Sequence, residues 1–436
     1  MRYCRRCVYP ENHALGLSFN EAGICSGCII HEEKDILDWP ERMQRLRKLV
    51  EGYRSQRRRI HDCVVPVSGA RDSYFIVHVV TKVLGLRPLL VSYNKHYNTE
   101  TGIRNLAYLR TLFGCDYMQS TVSPDRAKRI TRETLRLRAS MYWHCLAGQT
   151  AFPVQVAVKF KIPLIIWGAH QGVDQVGMYS HLDEVEMTRK YREEHDLMGL
   201  DEDELLAQAE CLAPADTEAF RYPHDKEIEA IGVRGIYLNN YLRWDTKAQH
   251  EHMIAEYGYE TLPQQRTFDK YNDADCHHYS GLHDLLKFRK LGFGKVTDHA
   301  CREIRFGRLT RGEGIEMVER YRDVEPEDQR RFLDWAGVDQ STLDSFTDGH
   351  RDPRVWRKRE RQWQLLDTIS NHRSSARIDG AQRAWPGSCV YIDSRRRAVD
   401  RDTDGYVLIG RGWVDPAEPP AKTGGLSRKA DGEANH

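Results

Sequence analysis

The chain has 436 residues, 40% of them hydrophobic and 30% charged, enough for two packed cores with small appendages. Its 65 basic residues face 64 acidic ones for a net charge of +1, which excludes a global field drawing in nucleic acid. No apolar run approaches the ~20 residues of a membrane-spanning helix, and Met1 to Cys7 holds no apolar signal core, so a cytoplasmic chain with reduced thiols is expected.

Residues 1–34 read as a knuckle too short for a core of its own. Cys4-x-x-Cys7 and Cys25-x-x-Cys28 each offer two thiolates from a tight turn, and the 17 residues between them let the pairs converge. Four sulfurs closing a tetrahedron predict a structural zinc site, with iron–sulfur ligation as the alternative. Residues 35–59 read as a basic linker helix, carrying Arg42, Arg45, Arg47, Lys48, Arg54, Arg57, Arg58 and Arg59 against Glu41 and Glu51. That helix is expected to be either a solvated face or a docking patch for an anionic partner.

From 60 to 180, β-branched runs alternate with amphipathic segments, predicting an α/β domain with a parallel, doubly wound sheet. Strands are expected at Cys63–Val67, Pro88–Tyr93 and Ile162–Trp167, with helices over Asp72–Leu84 and Thr99–Leu112. Residues 181–374 read as a mainly helical substrate or partner domain. Residues 375–436 are rich in Arg, Asp, Gly and Pro and are expected to form an irregular, partly disordered tail.

Between the first strand and its helix lies Val67-Ser68-Gly69-Ala70-Arg71-Asp72-Ser73. A strand–loop–helix turn aims backbone N–H groups and a helix dipole at one point, which favours phosphate. Ser68 and Ser73 add hydroxyls, and Asp72 is a candidate magnesium ligand. No G-x-x-x-x-G-K-[ST] occurs, so a Walker-type nucleotide site is not indicated.

This turn resembles the S-G-G-x-D-S pyrophosphate (PP) loop of the N-type ATP pyrophosphatases. Within them, the stretch from Cys4 to about Arg322 resembles the N-acetyl sugar amidotransferases of lipopolysaccharide O-antigen and flagellar glycan synthesis. The matching passages are Cys4 to Pro10 with Cys25 to Cys28, Val64 to Ser73, Pro163 to Gly168, Glu186 to Arg189, Tyr241 to Asp245, and Gly292 to Lys295 through Glu303 to Arg305. The resemblance implies ATP and Mg2+ as well as zinc. It implies AMP transfer to the N-acetyl carbonyl oxygen of a nucleotide-activated sugar, followed by attack of ammonia. Ammonia would come from a separate glutaminase through a barrel-type partner, because no glutaminase nucleophile turn is found in the chain.

In this reading Asp72, Arg71 and Ser73 act on the phosphates, held by Val67, Ser68, Gly69, Ala70 and Gly168. His170, Asp174, Arg189, Arg243 and Trp244 are candidates for the sugar side. Ala70 and Arg71 replace the family's second glycine and its lysine, and a methyl group at a position of positive φ would strain the loop. Cys145, beside His144, is expected to be a buried thiol. Two other readings are a tRNA-thiolating enzyme, opposed by the lack of any further C-x-x-C after the loop and by the near-zero charge, and an inactive scaffold subunit.

Overall fold

The first strand forms because Cys63, Val64 and Val65 are β-branched or small and alternate between two apolar faces. In the computed structural model, which describes residues 1–55 and 60–373 and the backbone of Tyr406–Leu408 and Gly412–Val414, this strand is β1 (Cys63–Pro66). It is the centre of a five-stranded sheet with β2 (Pro88–Tyr93), β3 (Asp116–Ser120), β4 (Leu164–Trp167) and β5 (Arg234–Tyr237), ordered β3-β2-β1-β4-β5. All four pairings are parallel, with Val64 opposite Leu89 on one side and Ile165 on the other. The predicted parallel α/β architecture is therefore present. The sheet also draws β5 from beyond residue 180, out of the stretch expected to be mainly helical.

Side-chain alternation divides the core into two layers. Cys63, Val65, Leu90, Leu164, Ile166 and Ile236 face one side. With the knuckle's short helix Ser26–Glu32 as α1, they meet there Leu46 and Val50 of α2 (Trp39–Glu51), Val77 of α3 (Ser73–His78) and Leu109 of α4 (Glu100–Phe113). Val64, Leu89, Val91 and Ile165 face the other side, against Ala151, Val154 and Ala157 of the helix Trp143–Phe160. Helices on both faces are what a parallel sheet requires, since neither face can be left to water.

Where it is described, the basic stretch after residue 41 is part solvated, with Arg47 and Lys48 exposed, and part turned inward. The fully buried Arg42 donates to the carbonyls of His181 and Asn240, and Arg45 pairs with Glu184 at 2.7 Å. Arg47 and Arg54 donate to the Val83, Leu84 and Gly85 carbonyls. These contacts tie α2 to the sheet domain. Arg57, Arg58 and Arg59, and most of the expected tail, lie outside the described residues.

Beyond an irregular segment around 262–281, the chain is mainly helical as expected. Helices Leu282–Leu291, Lys295–Arg305, Arg311–Arg322, Gln329–Ala336 and Gln340–Asp348 precede a hairpin of β6 (Trp356–Arg359) and β7 (Gln362–Leu365). The N-terminal knuckle packs back onto this region. Val8, Ile24 and Ile29 share one core with Val296, Ala300, Ile315 and Val318. No helix among the described residues is long and apolar enough to cross a membrane.

Candidate active site

The strand order reverses between β1 and β4, and crevices at the carboxyl ends of such a pair are where α/β sheets bind ligands. The turn Ser68–Ser73 leaves β1 at that point, and Gly168 follows β4. Gly69 is obligatory: a Cβ there would lie 1.9 Å from the Gly102 carbonyl oxygen, and one on Gly102 would lie 2.3 Å from the Asp275 Cα. The turn, the start of α4 and the segment at Asp275 are thus stacked backbone on backbone.

The loop is folded on itself. The Ser68 N–H donates to Ser73 Oγ at 2.9 Å, the Ala70 N–H to Ser68 Oγ at 3.2 Å and the Arg71 N–H to the Asn272 carbonyl at 2.9 Å. A phosphate would have to replace these partners. The two serine hydroxyls are the easier to displace, because they rotate. The conformational strain anticipated at Ala70 is absent there. Arg71 is the loop residue with positive φ, at 51°, while the Ala70 methyl is fully buried.

Two cavities meet at this loop. Ser68 and Gly69 open on one of about 220 Å³ at the ends of β1, β2 and β3, bounded by Ser92, Asn94, Lys95 and Arg110. At its floor Lys95 and Asp275 form a buried ion pair at 2.5 Å. Arg71 and Asp72 open on a second cavity of about 330 Å³, walled by Tyr9 and His13 of the knuckle and by Asp273, Tyr279 and Lys295. Burial lifts the Asp72 carboxyl to about 7, and its Oδ1 is enclosed without a hydrogen-bond partner. His250 Nε2 stands 3.7 Å from that oxygen but is held neutral, since burial lowers it to about 4. A carboxylate oxygen left bare beside Asp174, in a charged cavity, fits a divalent cation.

The predicted sugar-side residues divide. Asp174 and Trp244 line the charged cavity, with buried Lys34 bonded to Asp174 and, at 2.9 Å, to the Trp244 carbonyl. Gly168 lies beneath them, where a Cβ would meet Ile76 at 2.9 Å and the Trp244 ring at 3.3 Å. His170 does not reach the cavity. It is buried among Tyr179, Tyr191 and Tyr237, caps a short helix by accepting from the Gly172 N–H, and burial lowers it to about 3. Arg189 pairs with Asp225 at 2.7 Å and covers the Tyr222 ring, in a separate open cavity of about 750 Å³ that touches neither the loop nor the C-terminal region. Arg243 pairs with Asp35 at 2.8 Å and lines neither of the two central cavities.

Cys145 is buried as expected, although its sulfur approaches His144 Nε2 to 3.6 Å. Both residues are fully enclosed and line neither loop cavity, standing behind Tyr93 and Lys95 of the first. Lys95, Asp273, Tyr279 and Lys295 carry no site role in the sequence reading. Lys295 lies in a matching passage, but nothing local to the sequence brings it to residue 71.

The four cysteines converge as expected. Their sulfurs all lie within 4.8 Å of one another and are buried, near the about 3.8 Å edge of a zinc–sulfur tetrahedron. The amides of Arg6, Cys7 and Cys25 donate to Cys4 Sγ at 3.4, 3.4 and 3.3 Å. Such donors spread thiolate charge and orient the ligands, so this donor set fits a zinc ion.

Together these features describe an α/β protein with a phosphate-type turn at the switch point of a parallel sheet and a buried Cys4 centre at its N-terminus. Residues 265–370 match the family described as LPS biosynthesis protein WbpG-like, C-terminal domain. That match covers about a quarter of the chain, all of it in the C-terminal region, and it is this segment that is similar to the family. No curated protein matches it. Among solved structures, NMN synthetase from Francisella tularensis aligns at 12% identity over 52% of this chain and 99% of that one, with a TM-score of 0.26.

Proposed function

We propose that this chain uses ATP to adenylylate the N-acetyl carbonyl oxygen of a nucleotide-activated sugar, and that ammonia then displaces AMP to give an acetamidino sugar. The observation carrying this reading is the position of the Ser68–Ser73 turn between two cavities, one beside the ends of β1–β3 and one walled by the WbpG-like domain. The first takes the nucleoside of ATP. The second takes the sugar and the departing pyrophosphate.

An amide carbonyl is a poor electrophile because its oxygen is a poor leaving group. Attaching AMP to that oxygen supplies a good one, and what the protein must add is alignment and charge neutralisation. Arg71 and the hydroxyls of Ser68 and Ser73 face the phosphates. Asp72 and Asp174 would hold magnesium, which neutralises charge on the leaving group. Trp244, at the back of the same cavity, offers an apolar surface to the sugar. The ammonia comes from a separate glutaminase through a barrel-type partner, so the chain is the ATP-using subunit. A cytoplasmic site of action goes with nucleotide-sugar chemistry.

The test uses the full chain with MgATP, ammonium chloride and a panel of UDP- and CMP-linked N-acetyl sugars. Pyrophosphate release should accompany a product lighter by the difference between O and NH, and glutamine alone should not replace ammonium. Absence of release with every sugar would sink the reaction and favour a scaffold role.

A further inference from the structure

Tyr279 occupies an unusual electrostatic position in the charged cavity. Lys295 Nζ stands 3.4 Å from its ring centroid and the Arg71 guanidinium 4.5 Å. Both cations share a single carboxylate, Asp273, at 2.6 Å from Lys295 Nζ and 3.7 Å from Arg71. The other groups facing the phenol are neutral: His283, stacked at 5.0 Å and deprotonated by burial, and the buried phenol of Tyr142 at 4.6 Å. Two positive charges against one negative leave a positive surplus around the Tyr279 ring. Desolvation alone would raise a buried phenol, as it does for Tyr9, Tyr97, Tyr142 and Tyr259. At Tyr279 the attraction of Arg71 and Lys295 outweighs that burial and brings the phenol below its ordinary value of 10.

We infer that Tyr279, lining the cavity that Arg71 and Asp72 open on, is the acid–base residue that takes the amide proton of the substrate. The inference rests on the adenylylation reading above. In the first half-reaction the acetyl oxygen bonds to the α-phosphorus and the bond from that phosphorus to pyrophosphate breaks. The N–H proton passes to the Tyr279 phenolate, leaving a neutral C=N bond in an O-adenylyl imidate. In the second half-reaction the ammonia nitrogen bonds to the imidate carbon and the carbon–oxygen bond to AMP breaks. The Tyr279 phenol returns its proton to the sugar nitrogen, the surplus proton of ammonia goes to water, and an amidinium remains. Without the phenolate the first step would leave a cationic, protonated imidate beside Arg71 and Lys295, which those charges disfavour. The base thus comes from the C-terminal domain and the phosphate turn from the sheet domain.

Two measurements test this. Ultraviolet difference titration of the full chain should show one tyrosine ionising below the others, missing in Tyr279→Phe and displaced upward in Lys295→Met. With a turnover-competent UDP- or CMP-linked N-acetyl sugar, Tyr279→Phe should lower kcat by roughly 100-fold or more, with KM for ATP within about twofold. The alkaline rise of the wild-type rate should also vanish. Identical titrations of wild type and Tyr279→Phe, or undiminished kcat in that variant, would overturn the assignment. A wild type that turns over no sugar would instead overturn the adenylylation reading and the proton transfer that rests on it.

Discussion

The guanidinium of Arg305 lies against the sulfur of Cys25, with Nη2 3.8 Å from Sγ, while Nη1 donates to the Gln175 carbonyl at 2.6 Å. Four thiolates around one Zn2+ carry two net negative charges, and a buried centre of that kind needs cations close by. Arg305 and the buried Arg311, which donates to the Cys4 and Cys7 carbonyls, supply them from two helices of the C-terminal region. Arg305→Met should release zinc to a chelator about tenfold faster, read with a metallochromic dye, while Arg305→Lys should lie between it and the parent.

Ala70→Gly should not improve ATP affinity. Ala70 has no positive φ and its methyl is buried, so the change removes packing and adds freedom to the unfolded chain. The expected loss is about 1 kcal/mol, seen as a lower midpoint of thermal unfolding. Calorimetry should give an unchanged Kd for ATP, and a tighter Kd would contradict the placement of strain at Arg71.

Gly102→Ala is the severe loop-side change. Its Cβ would stand 2.3 Å from the Asp275 Cα, a backbone atom that cannot swing aside. A destabilisation of about 2 kcal/mol or more is expected, with weakened ATP binding because Gly69 rests on Gly102. Denaturant unfolding measures the first effect and isothermal titration the second.

Asp72 makes ATP binding depend on pH. Its folded value, about 7, lies above the ordinary 3.8, so the folded chain binds more protons between these values and loses stability as pH rises through that window. The loss has an upper bound of about 4 kcal/mol, reduced because the side chain keeps 17% exposure. Asp72→Asn should flatten the fall in melting temperature across that window and remove Mg2+-dependent ATP binding. If the parent and Asp72→Asn melt in parallel from acid to neutral pH, the carboxyl is not held protonated.

The parts of this site that could be read from the sequence are those in which neighbours along the chain are neighbours in space. Two C-x-x-C pairs declare a metal centre through spacing alone, and Val64 to Ser73 declares a strand and turn through its alternation. β3 carries no apolar strand pattern, because Asp116 and Gln119 are exposed at a sheet edge. β5 escaped because a four-residue run holding Arg234 and Gly235 resembles a turn. Arg189 and Arg243 could not be assigned without knowing that Asp225 and Asp35 stand opposite them. The cation pair on Tyr279 joins residues more than 200 positions apart through an irregular segment, where periodicity carries no signal.

Because the knuckle shares its core with Val173 to Tyr191 and with Lys295–Arg305 and Arg311–Arg322, that core is complete only when residues far downstream of the four cysteines have been made. The four-cysteine cluster therefore gains its full set of neighbours only after residues 295–322 have been made. A chain interrupted before residue 295 would present four thiolates without the Arg305 and Arg311 counter-charges, leaving an open chelator in place of a finished protein.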